Sequence, residues 1–470
     1  MHRLRLGSLL LACAVASGCT DRAAAPTPLH APGGAAPGAS AAAEGGGYTY
    51  LFAGRSVPAD FARRVAAAGG EVDRTIPAIG VASVRGLDAA AAAALGAGAE
   101  VALWSEELLV TLDEPAGELA LEPASLPVEP TSAADPTTAN LFARQWNLRQ
   151  IGMEHVWAAG RLGSPGVKVG ILDSGLDYTH PDLAGRVDLS LSRAFIGSDD
   201  EVIAQLFPGA HPVADLRFHG THAGAIVSSN ALGSAGVTSG VTLVGLKVVD
   251  RNGLGSAVAA LEAIVYAADV GLDVLNLSVG SGAPIPRRQF EVAIEAINRA
   301  MTYAHDRGTT VVVAAGNGNL DLAHQTNAYT VYCSSPTVIC VAATGPAFQA
   351  SPTGPWTDAD ARAPYSNYGL GVVDVAAPGG NRPADVYAAC SRFSLLLPVC
   401  RTGAFSVATS GTSQAAPHVA GLAALLVERH GRRPGLIRQV IRQSADDLGK
   451  PGADAVYGSG RINAARALGL

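Results

Sequence analysis

The chain has 470 residues, of which 48% are hydrophobic and 16% are charged, so it exceeds one ordinary domain and can bury a sizeable core. Its formal net charge is −7, and no stripe of Lys and Arg alternates with aromatic residues. This balance offers no basic field to nucleic acid, which is therefore excluded as an expected partner.

The first 18 residues have the pattern of an export signal. Arg3 and Arg5 form a basic region, residues 9–15 are apolar, and residues 16–18 are the small residues of a cleavage site. We therefore expect the chain to be exported. No later segment has about 18 apolar residues in a row, so any membrane attachment is expected to be through lipid.

The residue after this site is Cys19. The string Ala16-Ser17-Gly18-Cys19 is similar to a bacterial lipobox, in which the new N-terminal Cys becomes lipidated. This similarity predicts a lipid anchor on Cys19 at the bacterial cell envelope, with an extracellular location after processing. An ordinary signal peptide that contains a Cys is the alternative.

Residues 19–47 are rich in Ala, Gly and Pro without apolar periodicity, which predicts a disordered tether. Residues 48–112 then predict the element order β-α-β-β-α-β of a small ferredoxin-like α+β domain. The predicted strands are 48–53, 72–76, 79–84 and 108–112, and the predicted helices begin near Pro58 and cover 88–95. A generic small α/β module is the alternative.

Residues 113–140 are rich in Pro, Ala and Glu and carry no element signals, which predicts a linker. Over 141–470, apolar runs alternate with helical stretches. This alternation favours an α/β fold with a doubly wound, mainly parallel sheet and helices on both faces. The predicted strands are 167–172, 242–249, 274–277 and 310–314, and the predicted helices are 258–268 and 290–305.

Three short motifs carry residues typical of nucleophilic catalysis, in the chain order Asp, His, Ser. The first, Asp173-Ser174-Gly175, ends the predicted strand 167–172, so Asp173 falls at the carboxyl edge of the sheet. A carboxylate there can orient a histidine and stabilise its protonated ring. Asp177 and Asp182 are alternatives, since an Asp-rich turn is usually only a solvated turn.

The second motif, His219-Gly220-Thr221-His222, opens an apolar helix and offers two candidate bases. Histidines at i and i+3 can also bind a metal, but the Glu of the His-Glu-x-x-His zinc pattern is absent.

The third motif, residues 411–417, puts Ser413 at the start of a predicted helix over 413–429. Free N–H groups and the helix dipole there favour the negative charge of an oxyanion. Taken alone, Gly-Thr-Ser is more often a helix cap than a nucleophile. In the same way, the Asn317-Gly318 pair after the strand 310–314 is ordinarily only a turn.

These motifs resemble those of the subtilases, the subtilisin-like serine endopeptidases, which share the order Asp, His, Ser. The resemblance is carried by residues 173–183, 219–225, 314–318 and 411–421. It implies that Asp173 is the orienting acid, His219 the base and Ser413 the nucleophile, with Asn317 as a donor to the oxyanion. It also implies an endopeptidase that acts on proteins or peptides, and we expect a monomer.

Residues 48–112 resemble the inhibitory propeptide that precedes many subtilase domains. The resemblance implies that this segment inhibits the protease within the same chain. It also implies a processing cut within 113–140, after which a lipid anchor on Cys19 would stay with the propeptide.

Two segments resemble the family's substrate-binding edges, where an extended peptide adds as a strand. The edges are Gly253, Leu254, Gly255 and Ser278, Val279, Gly280, with Ala315 and Gly316 in a neighbouring wall. Ala257 stands where a bulky aromatic often closes a family subsite, which predicts a wider subsite. No acid is evident in these walls, which argues against specificity for basic residues.

The chain has six cysteines. Cys13 leaves with the signal and Cys19 would carry lipid, so four remain for two disulfides in an exported chain. Those four are Cys333, Cys340, Cys390 and Cys400. Local spacing favours Cys333 with Cys340 and Cys390 with Cys400, although three connectivities are open. Zinc is the weaker interpretation, because no Cys-x-x-Cys spacing occurs.

No cofactor is expected for catalysis. Many subtilases carry structural calcium, in part through the loop after the histidine helix. Here the corresponding residues 228–236 contain no carboxylate, and calcium prefers several oxygen ligands that include charged ones. These residues therefore argue against calcium at this loop, and structural calcium stays an open alternative for the chain.

Two other function classes remain open. One is a catalytically silent subtilase-like scaffold. The presence of the required residue types at all four catalytic positions argues against it. The other is a peptide ligase or macrocyclase that uses the same triad.

Overall fold

The structure, a computed structural model, describes residues 29–30, 47–114, 118–123, 135–325, 327–382 and 384–470. The helices are α1 Phe61–Ala67, α2 Ala89–Gly96, α3 Trp146–Gln150, α4 Met153–Ala158, α5 Asp200–Leu206, α6 His219–Val227, α7 Ala257–Asp269, α8 Glu291–Asp306, α9 Thr412–His430, α10 Pro434–Gln443 and α11 Ala464–Leu468. The strands are β1 Leu29–His30, β2 Tyr48–Phe52, β3 Glu71–Ile76, β4 Val81–Arg85, β5 Val101–Glu106, β6 Leu109–Leu112, β7 Glu118–Pro123, β8 Lys168–Asp173, β9 Arg193–Ala194, β10 Thr242–Lys247, β11 Leu254–Ser256, β12 Val274–Leu277, β13 Val279–Gly280, β14 Ile285–Pro286, β15 Thr310–Ala314, β16 Ala328–Tyr329, β17 Ile339–Thr344, β18 Phe348–Gln349, β19 Trp356–Thr357, β20 Val375–Pro378, β21 Val386–Ala389 and β22 Phe405–Thr409. Within the described ranges, no helix combines the length and the apolar character needed to cross a bilayer. The predicted export signal and Cys19 lie outside these ranges.

The large domain is built on a seven-stranded sheet in the order β20-β17-β15-β12-β8-β10-β9. Every neighbouring pair in this sheet is parallel. Helices α6 and α9 pack in the core on one face, and helices α7 and α8 pack in the core on the other. The predicted doubly wound, parallel α/β fold is therefore confirmed.

The small N-terminal domain is a four-stranded antiparallel sheet in the order β3-β4-β2-β5. Tyr50 and Phe52 alternate with Leu51 along β2, and they pack with Phe61 of α1 on one face. Leu51 and Val81 belong instead to the core that contains α7 and α8. Because side chains alternate along a strand, one face forms the domain's own core and the other docks on the large domain.

Polar contacts fix this docked position. Arg299 of α8 donates from Nη1 to the carbonyl oxygens of Phe52, at 2.9 Å, and Ile79, at 3.2 Å. Arg74 of β3 pairs with Glu262 of α7 at 2.6 Å.

The predicted last strand of the small domain, 108–112, does not belong to its sheet. The fourth strand there is β5, and β6 lies in a separate three-stranded sheet, β11-β6-β13, within the large domain. The prediction of a core strand in the small domain rests on the run of residues 108–112, which is apolar except at Thr111. The run reflects burial of Leu108, Val110 and Leu112 against the large domain.

Two predicted unstructured segments also contain strands. Residues 118–123 of the predicted linker form β7, which pairs with β22 in a sheet ordered β1-β7-β22-β21. Leu29–His30 of the predicted tether forms β1 and pairs with β7. Leu119 and Leu121 of β7 pack beside Val407, so their spacing of two residues in Glu118-Leu119-Ala120-Leu121 is a strand signal within the predicted linker.

Candidate active site

The candidate acid and base meet beside the central sheet. Asp173 is the last residue of β8, and His219 is the first residue of α6. Nδ1 of His219 lies 2.8 Å from Oδ1 and 2.9 Å from Oδ2 of Asp173. Both side chains are buried. A carboxylate at Nδ1 fixes the ring orientation and leaves Nε2 as the nitrogen that can accept a proton.

The pair alters the basicity of the histidine. Burial by itself disfavours the charged ring, but the Asp173 carboxylate outweighs it, so the pKa of His219 is raised above its usual 6.5. The nearby Glu114 carboxylate raises this pKa further, and Arg217 lowers it. His219 is therefore a stronger base than a free histidine.

A buried carboxylate that no motif indicated supports this geometry. Asp215 accepts from the hydroxyl of Ser174 at 2.9 Å, and from the backbone N and Oγ1 of Thr221 at 2.9 and 2.7 Å. It also accepts from the backbone N of Phe218 at 3.1 Å. Burial raises the pKa of Asp215. These bonds join the end of β8 to the start of α6, the two elements that carry Asp173 and His219.

The candidate nucleophile lies at the start of α9, where Ser413 is the second residue. Pro417 has no N–H, so the Ser413 carbonyl lacks its usual helical partner and accepts from Ser278 Oγ at 3.2 Å. The Ser413 hydroxyl donates to the Ser278 carbonyl at 3.4 Å. Nε2 of His219 is buried and has no hydrogen-bond partner among the described residues. In this state, therefore, the nucleophile and the base do not hydrogen-bond to each other.

Asn317 follows β15, and the side chain of Thr412 orients it. Its Oδ1 accepts from the backbone N and from Oγ1 of Thr412, both at 2.9 Å, so the amide orientation is fixed and Nδ2 is the atom that can donate to another group. Gly316 has φ +94°, and a Cβ there would lie 2.7 Å from Nδ2 of Asn367. Glycine is therefore needed at 316 to bring the chain round to Asn317.

The chain's own N-terminal segment fills the cleft between the two predicted binding edges. Strand β6 is antiparallel to both β11 and β13, and Val110 aligns with Gly255 and Thr111 with Gly280. The backbone N of Leu112 donates to the carbonyl of Gly253 at 3.0 Å. This is how an extended peptide adds to two exposed edges.

The next residue of this segment, Asp113, reaches Asn317. The carbonyl oxygen of Asp113 accepts from Asn317 Nδ2, and its Oδ2 accepts from the Asn317 backbone N at 2.7 Å. Burial raises the pKa of the Asp113 carboxyl. A small cavity of about 40 Å³ lies beside it, lined by Ser278, Val279, Gly280, Ala315, Gly316 and Ser413 among other uncharged residues.

The remaining candidates have other partners. Nε2 of His222 lies 3.2 Å from the carbonyl of Val386 and 3.1 Å from that of Val407, and burial lowers its pKa to about 3. Asp177 binds Thr179 and the backbone of Arg392. The carboxylate of Asp182 accepts from the backbone N atoms of residues 232–234.

The bonds from the backbone N atoms of residues 232–234 to Asp182 hold the loop at 228–236, which has no carboxylate of its own. In the part of the chain that the structure describes, no group of at least three His, Cys, Asp or Glu side chains is arranged to hold a metal. The cysteines are joined as Cys333–Cys340 and Cys390–Cys400, the pairing that local spacing favoured.

Comparison with known proteins agrees with this architecture. Residues 164–460 match the Subtilase family. A thermophilic serine proteinase from Bacillus sp. (strain AK1) is 34% identical over 318 residues, which cover 67% of this chain and 64% of that protein. Thermitase from Thermoactinomyces vulgaris is 32% identical over 340 residues, which cover 71% of this chain and 99% of thermitase.

Among solved structures, the epidermin leader peptide processing serine protease from Staphylococcus aureus has the same fold. It gives a TM-score of 0.70 at 21% identity and covers 91% of this chain and 99% of that one. With the parallel sheet, the matched residues and these relatives taken together, the chain belongs to the subtilase family of subtilisin-like serine endopeptidases.

Proposed function

We propose that this subtilase is an exported endopeptidase that uses Asp173, His219 and Ser413 with Asn317, and that it matures by cutting its own Asp113–Glu114 bond. The observation that carries the proposal is the contact between the Asp113 carbonyl oxygen and Asn317 Nδ2. A donor at that oxygen is what acyl transfer needs, because negative charge develops there in the transition state.

The chemistry follows from the residues around that carbonyl. Ser413 Oγ attacks the carbonyl carbon of Asp113 while His219 Nε2 takes the hydroxyl proton. The side-chain amide of Asn317 donates a hydrogen bond to the oxyanion. The oxyanion also lies near the N-terminus of α9, whose dipole favours negative charge. His219 then donates the proton to the Glu114 nitrogen, and the bond breaks. A water, deprotonated by His219, releases the Asp113 carboxyl group from Ser413.

Contacts that do not involve the cut bond support inhibition after cleavage. The pairing of β6 with both edges and the Arg299 bonds to the small domain lie on the N-terminal side of Asp113. Cleavage alone breaks none of them, so the cut segment stays bound as a product until it dissociates. Exported proteins or peptides would then reach the same edges, and a lipid on Cys19 would hold the released segment at the envelope.

The experiment is to express the full chain and a Ser413→Ala variant, then to sequence the N-terminus of each product. We expect the wild-type mature chain to begin at Glu114 and to react with a fluorophosphonate at Ser413, whereas the variant stays uncut. A mature chain that fails to react with the fluorophosphonate would favour a silent scaffold. A mature N-terminus elsewhere would refute the proposed bond.

A further inference from the structure

The side chain just beyond the proposed cut is bound by an arginine. Nη2 of Arg217 lies 2.7 Å from Oε2 of Glu114, and Nε lies 3.2 Å from Oε1. Two donors of one guanidinium therefore meet both oxygens of one carboxylate. The side chains are only 15% and 27% exposed, so the pair is partly shielded from water. Paired contacts of this geometry are directional and stronger than a single point contact.

Arg217 is held in place by groups other than Glu114. Its Nη1 donates to the carbonyl of Arg251 at 3.2 Å, and its backbone N donates to Asp215 at 3.0 Å. The hydroxyl of Ser394 donates to its carbonyl oxygen. These contacts remain when Glu114 leaves, so the guanidinium is preorganised.

Arg217 lies next to one end of the substrate cleft. A Cβ built on Gly253 would lie 3.5 Å from the Arg217 guanidinium carbon, so Arg217 adjoins the end of the edge that holds Leu112. The charge of Arg217 also acts on His219. Among the described residues, Glu114 supplies the one carboxylate that forms an ion pair with Arg217.

We propose that Arg217 recognises the residue on the leaving-group side of the cut bond, and that the enzyme prefers Glu at that position. This inference rests on the proposed function, because it assumes that Asp113–Glu114 occupies the site as substrate. A neutral residue there would leave the guanidinium without its partner in a partly buried site, and sites built to form hydrogen bonds discriminate against ligands that lack the matching group. We expect about a tenfold preference for Glu over the isosteric Gln.

A charge exchange within the full chain provides the first test. Glu114→Arg and Arg217→Glu should each slow processing about tenfold or more, and the double variant should recover most of the wild-type rate. A purely structural role for Arg217 predicts no recovery. Equal processing rates in the wild type and both single variants would overturn the inference while leaving the proposed function intact.

A second test uses the mature enzyme on two quenched peptides with the sequence Val-Thr-Leu-Asp followed by Glu or Gln. The specificity constant kcat/KM is calculated with the concentration of enzyme that reacts with fluorophosphonate, so that misfolded protein is left out. The Glu-to-Gln ratio should be about 10 for the wild type and about 1 for Arg217→Gln. Arg392→Gln, which removes an exposed arginine that donates to the Thr179 carbonyl, should keep the wild-type ratio.

The outcomes separate the two proposals. If the wild type neither reacts with fluorophosphonate nor cleaves either peptide, the proposed function fails and the inference fails with it. If the wild type cleaves both peptides equally well, or if Arg217→Gln keeps the preference for Glu, only the inference fails.

Discussion

Replacing Arg299 with Ala should raise the dissociation constant of the cleaved N-terminal domain from the protease by about 30-fold. One guanidinium nitrogen of Arg299 donates to two carbonyl oxygens of the small domain, at 2.9 and 3.2 Å. The side chain is 11% exposed, so water screens these bonds little. A hydrogen bond to a charged group contributes about 1.5–3 kcal/mol. Because both bonds share one nitrogen, we count them together as about 2 kcal/mol, which is about 30-fold in the dissociation constant.

The assay follows Ser413 after processing is complete. The cleaved complex is diluted into fluorophosphonate, and the rate of labelling reports how often the cleft is empty. Arg299→Ala should label faster than the wild type at equal concentration. The matched control is Arg149→Ala, because Arg149 stacks on Phe142 at 4.7 Å in the core on the opposite face of the sheet. Labelling of Arg299→Ala at the wild-type rate, with processing complete in both, would refute the idea that this arginine holds the inhibitor.

Three further predictions concern the catalytic machinery. Because the pKa of His219 is raised, peptide hydrolysis should fall as the pH drops through a midpoint above 6.5, and Asp173→Asn should move that midpoint down; an unchanged midpoint in a pH–rate profile would contradict this. If Asn317 donates to the oxyanion, Asn317→Ala should lower kcat about 10²–10³-fold, the loss known for the asparagine donor of subtilisin, with little change in KM; a loss confined to KM would argue against an oxyanion role. Asp215→Asn should lower the free energy of unfolding by about 1–3 kcal/mol, because one of the buried groups that donate to Asp215 loses its acceptor. If the variant unfolds in denaturant like the wild type, Asp215 does not stabilise the structure in this way.

The sequence predicted the parts of the molecule that depend on local signals. The strand predicted over 167–172 is Lys168–Asp173 in the structure, and the helix predicted to open at His219 begins there. Asn317 and Ser413 were predicted from the resemblance of their motifs to those of the subtilases, because a lone Asn-Gly pair is ordinarily a turn and a lone Gly-Thr-Ser is more often a helix cap. The structure brings Asp173 to His219 and Asn317 to Thr412, next to Ser413.

What the sequence did not predict depends on contacts between distant segments. Nothing near Asp113 indicates that it meets a residue about 200 positions later, since the contact arises from docking of the whole small domain. Asp215 and Arg217 belong to no motif, because each acts through backbone groups or through a partner far along the chain. The prediction that β6 belongs to the sheet of the small domain is wrong for the same reason, because hydrophobicity shows that a strand is buried and does not show which domain it packs against.

The pairing of β7 with β22 has a consequence for the enzyme after maturation. Glu114 would become the first residue of the mature chain, and it stands four positions before Glu118, where β7 begins. Four residues span at most about 14 Å, so β7 tethers the N-terminus of the mature chain near the cleft. Because the mature N-terminus stays close to the leaving-group side of the cleft, the first few residues of the mature chain can contact the part of a foreign peptide that lies beyond its cut bond.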